Sequence, residues 1–91
     1  MVTPRPDAGT VTMYSTTWCG YCHRLRKQLD REGIRYTVVD IELVPEAAQF
    51  VMSVNDGNQT VPTVVFPDGT TATNPSVSEV KGRLTRVATS A

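Results

Sequence analysis

The apolar residues of this chain change period at Cys19, and that change limits what it can fold into. Before it, Thr10 to Tyr14 alternates, with Val11 and Met13 on one side, the period of a strand. After it, Cys22, Leu25 and Leu29 recur at i, i+3 and i+7 with charged residues between them, the period of an amphipathic helix. A helix is therefore expected over about Gly20 to Arg31, stopped at Gly33, where glycine accepts the left-handed conformation of a helix end. Ile34 to Ile41 is rich in β-branched residues and reads as a second strand. Pro45 and Glu46 suit the first turn of a second helix. Ala47, Phe50, Val51 and Val54 form its inner face, and Asn55-Asp56-Gly57-Asn58 ends it. Thr63 to Phe66 and Thr70 to Thr73 flank Pro67-Asp68-Gly69, a turn sequence that joins them as a hairpin. Asn74 and Pro75, or Ser76 with Glu79, cap a last helix, whose inner stripe is Val77, Val80, Leu84 and Val87.

The order β-α-β-α-β-β-α implies an α/β fold with two parallel strands, a closing antiparallel hairpin and three helices. With 91 residues there is room for one domain, over residues 10–91. Met1 to Gly9, with two prolines and no apolar run, is expected to be a flexible leader rather than a signal sequence. Nine basic and nine acidic residues cancel, so nothing draws the chain to nucleic acid or an anionic membrane. Arg24, Arg26, Lys27, Arg31, Lys81, Arg83 and Arg86 read as solvated helix faces. No segment approaches a membrane span. A soluble, cytoplasmic protein is expected, in a reducing compartment.

In that compartment two cysteines three residues apart are more often redox-active or metal-binding than structural. Cys19 opens a helix, where amides lack intrahelical partners. Those of Tyr21 and Cys22 are expected to face its sulfur, and the helix dipole also favours negative charge there. Cysteines so placed ionise at about 3.5–7.5 instead of about 8.5. Beside Gly20 in a turn, Cys19 is poorly placed for burial. Cys22 lies one turn deeper, facing inward with Leu25 and Leu29. The asymmetry makes Cys19 the attacking thiol and Cys22 the resolving one. Other chemistries remain for these residues. Cys19-Gly20-Tyr21-Cys22-His23 also matches the attachment motif of c-type haem, with Met52 as a conceivable distal ligand. Cys19, Cys22 and His23 give at most three of the four ligands of structural zinc.

Trp18-Cys19-Gly20-Tyr21-Cys22 between strand and helix, with Thr60-Val61-Pro62 before a later strand, resembles the glutaredoxin branch of the thioredoxin-like fold. The likeness is strongest to its mycothiol-dependent members in actinobacteria, the mycoredoxins. It runs from about Val11 to Val87. Ser53-Val54-Asn55-Asp56-Gly57-Asn58-Gln59-Thr60-Val61-Pro62-Thr63 carries much of it, with Asp68-Gly69-Thr70 and Thr73-Asn74-Pro75 in support. The resemblance implies a four-stranded mixed sheet, Cys19 as nucleophile, Cys22 as a second, non-obligatory thiol, and a cis Val61–Pro62 bond lying against the cysteines. It implies that Val61 pairs through its backbone with the bound thiol, and that Trp18, Gly20, Tyr21, Thr60, Pro62, Thr73 and Asn74 border the groove. The co-substrate would be mycothiol, with no tightly bound cofactor or metal, and the partners thiolated proteins met by a monomer.

Three departures from ordinary glutaredoxins stand out. Gly20 replaces the common proline, and Thr16 replaces a frequent lysine. Thr73-Asn74-Pro75-Ser76 lacks the Gly-Gly pair that usually helps to hold the glutathione carboxylate. Another thiol is thus favoured, with the helix start near Asn74 and Ser76 available to a polar or anionic group. Two alternatives remain with the resemblance: a dithiol protein-disulfide reductase of thioredoxin type, and an iron–sulfur cluster bridged between protomers, which Gly20 permits.

Overall fold

The computed structural model describes residues 5–89, with side chains through Thr85. Its elements are β1 (Thr10–Ser15), α1 (Gly20–Arg31), β2 (Arg35–Asp40), α2 (Pro45–Val54), β3 (Thr63–Val65), β4 (Thr71–Thr73) and α3 (Val77–Thr89), in the expected order. The sheet runs β2-β1-β3-β4. β1 pairs parallel with β2, Thr10 opposite Arg35 through Ser15 opposite Asp40. It pairs antiparallel with β3, Met13 opposite Val64, and β3 pairs antiparallel with β4.

A strand in the middle of such a sheet is covered on both faces, and β1 is buried along nearly its whole length. On one face Val11 and Met13 pack with Cys22, Leu25 and Leu29 of α1, Val64 and Phe66, and Val80 of α3. On the other, Tyr14 packs with Val65, Ile41, and Ala47 and Val51 of α2. The Tyr14 and Phe50 rings meet at 5.2 Å between centroids. Each fully buried aliphatic side chain in these layers contributes about 1.5–3 kcal/mol.

The ends of α1 follow from local chemistry. At its C-terminus Gly33, at φ +72°, donates to the Asp30 carbonyl at 3.1 Å, and the next amide, Ile34, donates to Leu29 at 3.0 Å. This pair satisfies carbonyls the helix leaves open and turns the chain into β2. In the β3–β4 turn, Asp68 accepts from the amide and hydroxyl of Thr70 at 3.0 and 2.6 Å. Those bonds hold its carboxyl below the usual aspartate range. Ser76 caps α3, its hydroxyl accepting from the Glu79 amide at 3.1 Å.

Three expectations change. Val54 does not join the inner face of α2 but is exposed. It is the helix's last residue, and the Asn55 side chain turns inward behind it. Arg83 is not a solvated charge. Its guanidinium lies 4.2 Å from the Phe66 ring centroid and donates to the Thr71 carbonyl and Thr70 hydroxyl. Strands β2, β3 and β4 start or stop a residue inside their expected limits. Residues 1–4 of the leader and the side chains of Arg86 and Val87 lie outside what is described, while Asp7 accepts from the Thr10 amide and hydroxyl at the start of β1.

Candidate active site

Cys19 is the N-cap of α1. Its backbone is extended, at φ −83° and ψ 109°, and its sulfur accepts the Cys22 N–H at 3.1 Å. Of the two amides expected to face the sulfur, that of Cys22 makes the bond. An N-cap side chain reaches back over the first turn to the third amide of the helix, and in α1 that amide belongs to Cys22. The same geometry brings the cysteines together, with Cα atoms 5.2 Å apart and the sulfurs joined as a disulfide. When the bond is reduced, the amide and the helix N-terminus both favour charge on Cys19.

The loop entering the helix is held on its own account. The Cys19 amide donates to the Thr16 carbonyl at 3.4 Å, and the Ser15 hydroxyl donates to the same oxygen at 3.1 Å. His23 Nε2 lies 2.9 Å from the Thr17 carbonyl. A carbonyl only accepts, so this ring nitrogen carries the proton. The imidazole is thus engaged with backbone rather than turned to the cysteines as a ligand. Thr16 is buried, and its hydroxyl has no hydrogen-bond partner among the described residues.

The Val61–Pro62 bond is cis, as the resemblance implied, and the Val61 carbonyl oxygen lies 3.8 Å from Cys19 Sγ. Cys22 is fully buried, as expected. Cys19 departs from expectation, for it is only 5 % exposed. Its sulfur curls inward to meet the Cys22 amide and sulfur, and the Val61 segment, 42 positions further along the chain, closes over it. The residues beside it are open: Trp18 is 71 % and Tyr21 64 % exposed. Trp18 donates from its indole nitrogen to Glu42 at 3.2 Å. Gly20 meets nothing where a Cβ would stand, so the chain's own packing does not require glycine there.

The other candidate residues are gathered around cis-Pro62. The Asn74 amide donates to the Pro62 carbonyl at 2.7 Å, with Asn74 at φ +48°. The Thr60 carbonyl accepts from the Thr63 hydroxyl at 2.8 Å. Thr73 directs its hydroxyl to the Asn55 side chain at 2.6 Å. Sequence reasoning gives Glu42 no role and Asn55 only a place in the segment that ends α2, with none at the site. Glu42 lies 24 positions from Trp18, and no local pattern pairs them. Asn55 stood inside the motif-bearing stretch, yet its partners are on other elements.

The glutaredoxin family model matches residues 11–70. A putative glutaredoxin of Mycobacterium tuberculosis is 56% identical over 78 residues, covering 86% of this chain and 93% of that protein. Mycoredoxin 1 of Corynebacterium glutamicum is 49% identical over 78 residues, covering 86% and 96%. Among solved structures, the buckwheat glutaredoxin–glutathione complex superposes with a TM-score of 0.64 at 30% identity, covering 88% of this chain and 76% of that one. The glutaredoxin of Methanosarcina mazei gives a TM-score of 0.70 at 22% identity, covering 90% and 84%, a likeness of fold.

Proposed function

Because this chain belongs to the glutaredoxin family of thiol–disulfide oxidoreductases, we propose that it reduces mixed disulfides between proteins and a low-molecular-weight thiol, with Cys19 as nucleophile and mycothiol as the thiol. The observation that carries this reading is the Cys22 amide bonded to the Cys19 sulfur at 3.1 Å, beside the Val61 carbonyl at 3.8 Å. One group stabilises a thiolate, and the other belongs to a backbone segment available to a peptide-like thiol. The 49% identity to a mycoredoxin over 96% of its length and the absence of a Gly-Gly pair in Thr73-Asn74-Pro75-Ser76 favour mycothiol over glutathione.

In the first step the Cys19 thiolate attacks the small-thiol sulfur of the mixed disulfide. A Cys19–thiol disulfide forms, the protein–thiol bond breaks, and the protein sulfur leaves as a thiolate that takes a proton from water. In the second, another mycothiol thiolate attacks the bound small-thiol sulfur. The symmetrical disulfide forms and the Cys19 thiolate is expelled. The two electrons come from the two small thiols, so neither metal nor nicotinamide is required. Val61 and Pro62 border the bound thiol, and Trp18, Gly20, Tyr21, Thr60, Thr73 and Asn74 are its candidate neighbours. Among the described residues no helix is long and apolar enough to cross a membrane, and the reaction suits a monomer working on thiolated proteins in the cytoplasm, where a thiol pool is maintained.

A dithiol route is the second reading, favoured by the Cys19–Cys22 disulfide itself. Cys22, with no exposed surface, is placed to attack only the Cys19 sulfur of a Cys19–partner disulfide, which forms the Cys19–Cys22 bond and expels the partner as a thiolate. One peptide carrying either mycothiol or glutathione as its mixed disulfide separates the readings. The wild type and Cys22→Ser are expected to turn over the mycothiol form at similar rates and ahead of the glutathione form. A preference for glutathione overturns the thiol assignment, and an inactive Cys22→Ser establishes the dithiol route instead.

A further inference from the structure

Behind the cis-proline segment one side chain joins both sides of the proposed groove. Asn55 ends α2, and its amide nitrogen donates to the Val51 carbonyl at 2.8 Å and to the Thr63 hydroxyl at 3.1 Å. Its amide oxygen accepts from the Thr73 hydroxyl at 2.6 Å. The Val51 carbonyl can only accept, which fixes which end of the amide is nitrogen. Thr63, itself fully buried, passes its proton on to the Thr60 carbonyl at 2.8 Å. The bonds therefore run in one direction, from Thr73 through Asn55 and Thr63 to Thr60, and each hydroxyl proton is already assigned. Such a chain has one satisfied arrangement, and its middle bond, from Asn55 to the fully buried Thr63 hydroxyl, is the one that water is least able to replace.

The two ends of this chain flank the site. Thr60 and Thr63 bracket Val61–Pro62, whose first carbonyl lies 3.8 Å from the Cys19 sulfur. Thr73 precedes Asn74, whose amide holds the Pro62 carbonyl at 2.7 Å. We infer that Asn55 is a positioning residue for the bound thiol: it sets the spacing between the Thr60–Pro62 wall and the Thr73–Asn74 wall without touching the thiol. This inference rests on the reading above that these two segments border the thiol, whichever small thiol is used. Helix capping by the bond to Val51 is a separate duty. By itself it would change stability and leave recognition as it was.

The variants Asn55→Ala, Asn55→Asp, Thr73→Val and the double variant Asn55→Ala/Thr73→Val test this. The aspartate keeps an acceptor for Thr73 but loses both donations, so it remains informative if the alanine fails to fold. KM and kcat are measured for the peptide mixed disulfides of mycothiol and of glutathione, with Tm measured in parallel. Loss of one well-made bond corresponds to about a tenfold effect. KM is expected to rise about that much, with kcat moving much less. The double variant is expected to be no worse than Asn55→Ala, because Thr73 acts through Asn55. A lowered Tm with unchanged KM overturns the inference, as does a double variant whose KM effects multiply. If only the glutathione substrate is turned over, mycothiol is rejected and Asn55 is judged on glutathione. If the wild type turns over neither, the groove reading fails and this inference falls with it.

Discussion

Cys19 has two duties that a pair of substitutions separates: it supplies the proposed nucleophile and it caps α1. Serine at position 19 keeps an atom that accepts the Cys22 amide, in the extended N-cap conformation observed at φ −83° and ψ 109°. Alanine has no such acceptor. Both variants lose the same buried sulfur and the same disulfide, so these losses cancel when one is compared with the other. What remains is the bond made at 3.1 Å in the native protein. Replacing a capping serine with alanine costs about 1 kcal/mol, within a range of about 0.5–2. For a domain of this size 1 kcal/mol corresponds to about 4–8 °C in Tm. Cys19→Ser is therefore expected to melt about that much above Cys19→Ala, with reductant present to keep Cys22 from pairing between molecules. Both are expected to lose turnover of the mixed disulfide, since neither hydroxyl nor methyl replaces a thiolate in disulfide exchange. Equal melting temperatures would mean that the side chain at position 19 does not cap the helix. Turnover by Cys19→Ser would remove the thiolate from the mechanism altogether.

Two further outcomes are expected. Thr16→Val replaces a buried hydroxyl that has no partner among the described residues with a group of the same shape, and is expected to raise stability by about 1 kcal/mol in urea unfolding; a loss of that size would refute the reading of the hydroxyl as unpaired. Glu32 is held below its ordinary value of 4.5 by the hydrogen bond and charge of Lys81, 2.7 Å away between α1 and α3. The contribution of this pair is complete above 4.5 and is lost as the pH falls through the lowered value. Lys81→Met is expected to change neutral stability little, the pair being exposed, and to make stability fall less steeply with acid; an unchanged acid slope in pH-dependent urea unfolding would count against the pair.

Much of this protein is written in short stretches. The change of period at Cys19, the glycine at 33 and the proline at 45 act within a turn or two, so they define α1, its end and the start of α2 without help from the rest of the chain. The hydroxyl of Ser76 and the Asp68-Gly69-Thr70 turn belong to the same class, as does the cysteine cap itself. The cis bond at Pro62 was legible only through resemblance, since nothing local distinguishes it from the usual trans bond.

Contacts between distant residues were decided by tertiary structure. The position of β1 between β2 and β3, the burial of Cys19 beneath Val61, the Trp18–Glu42 bond and the reach of Asn55 to Thr63 and Thr73 join segments from different elements. Local preference constrains φ and ψ over a few residues. It carries no information about which sheet edge, loop or helix end will pack opposite, because that depends on burying the two apolar faces of the sheet at the same time. The sequence alone therefore located the proposed nucleophile and its helix, while packing determined how far that sulfur is covered and which segment lies above it.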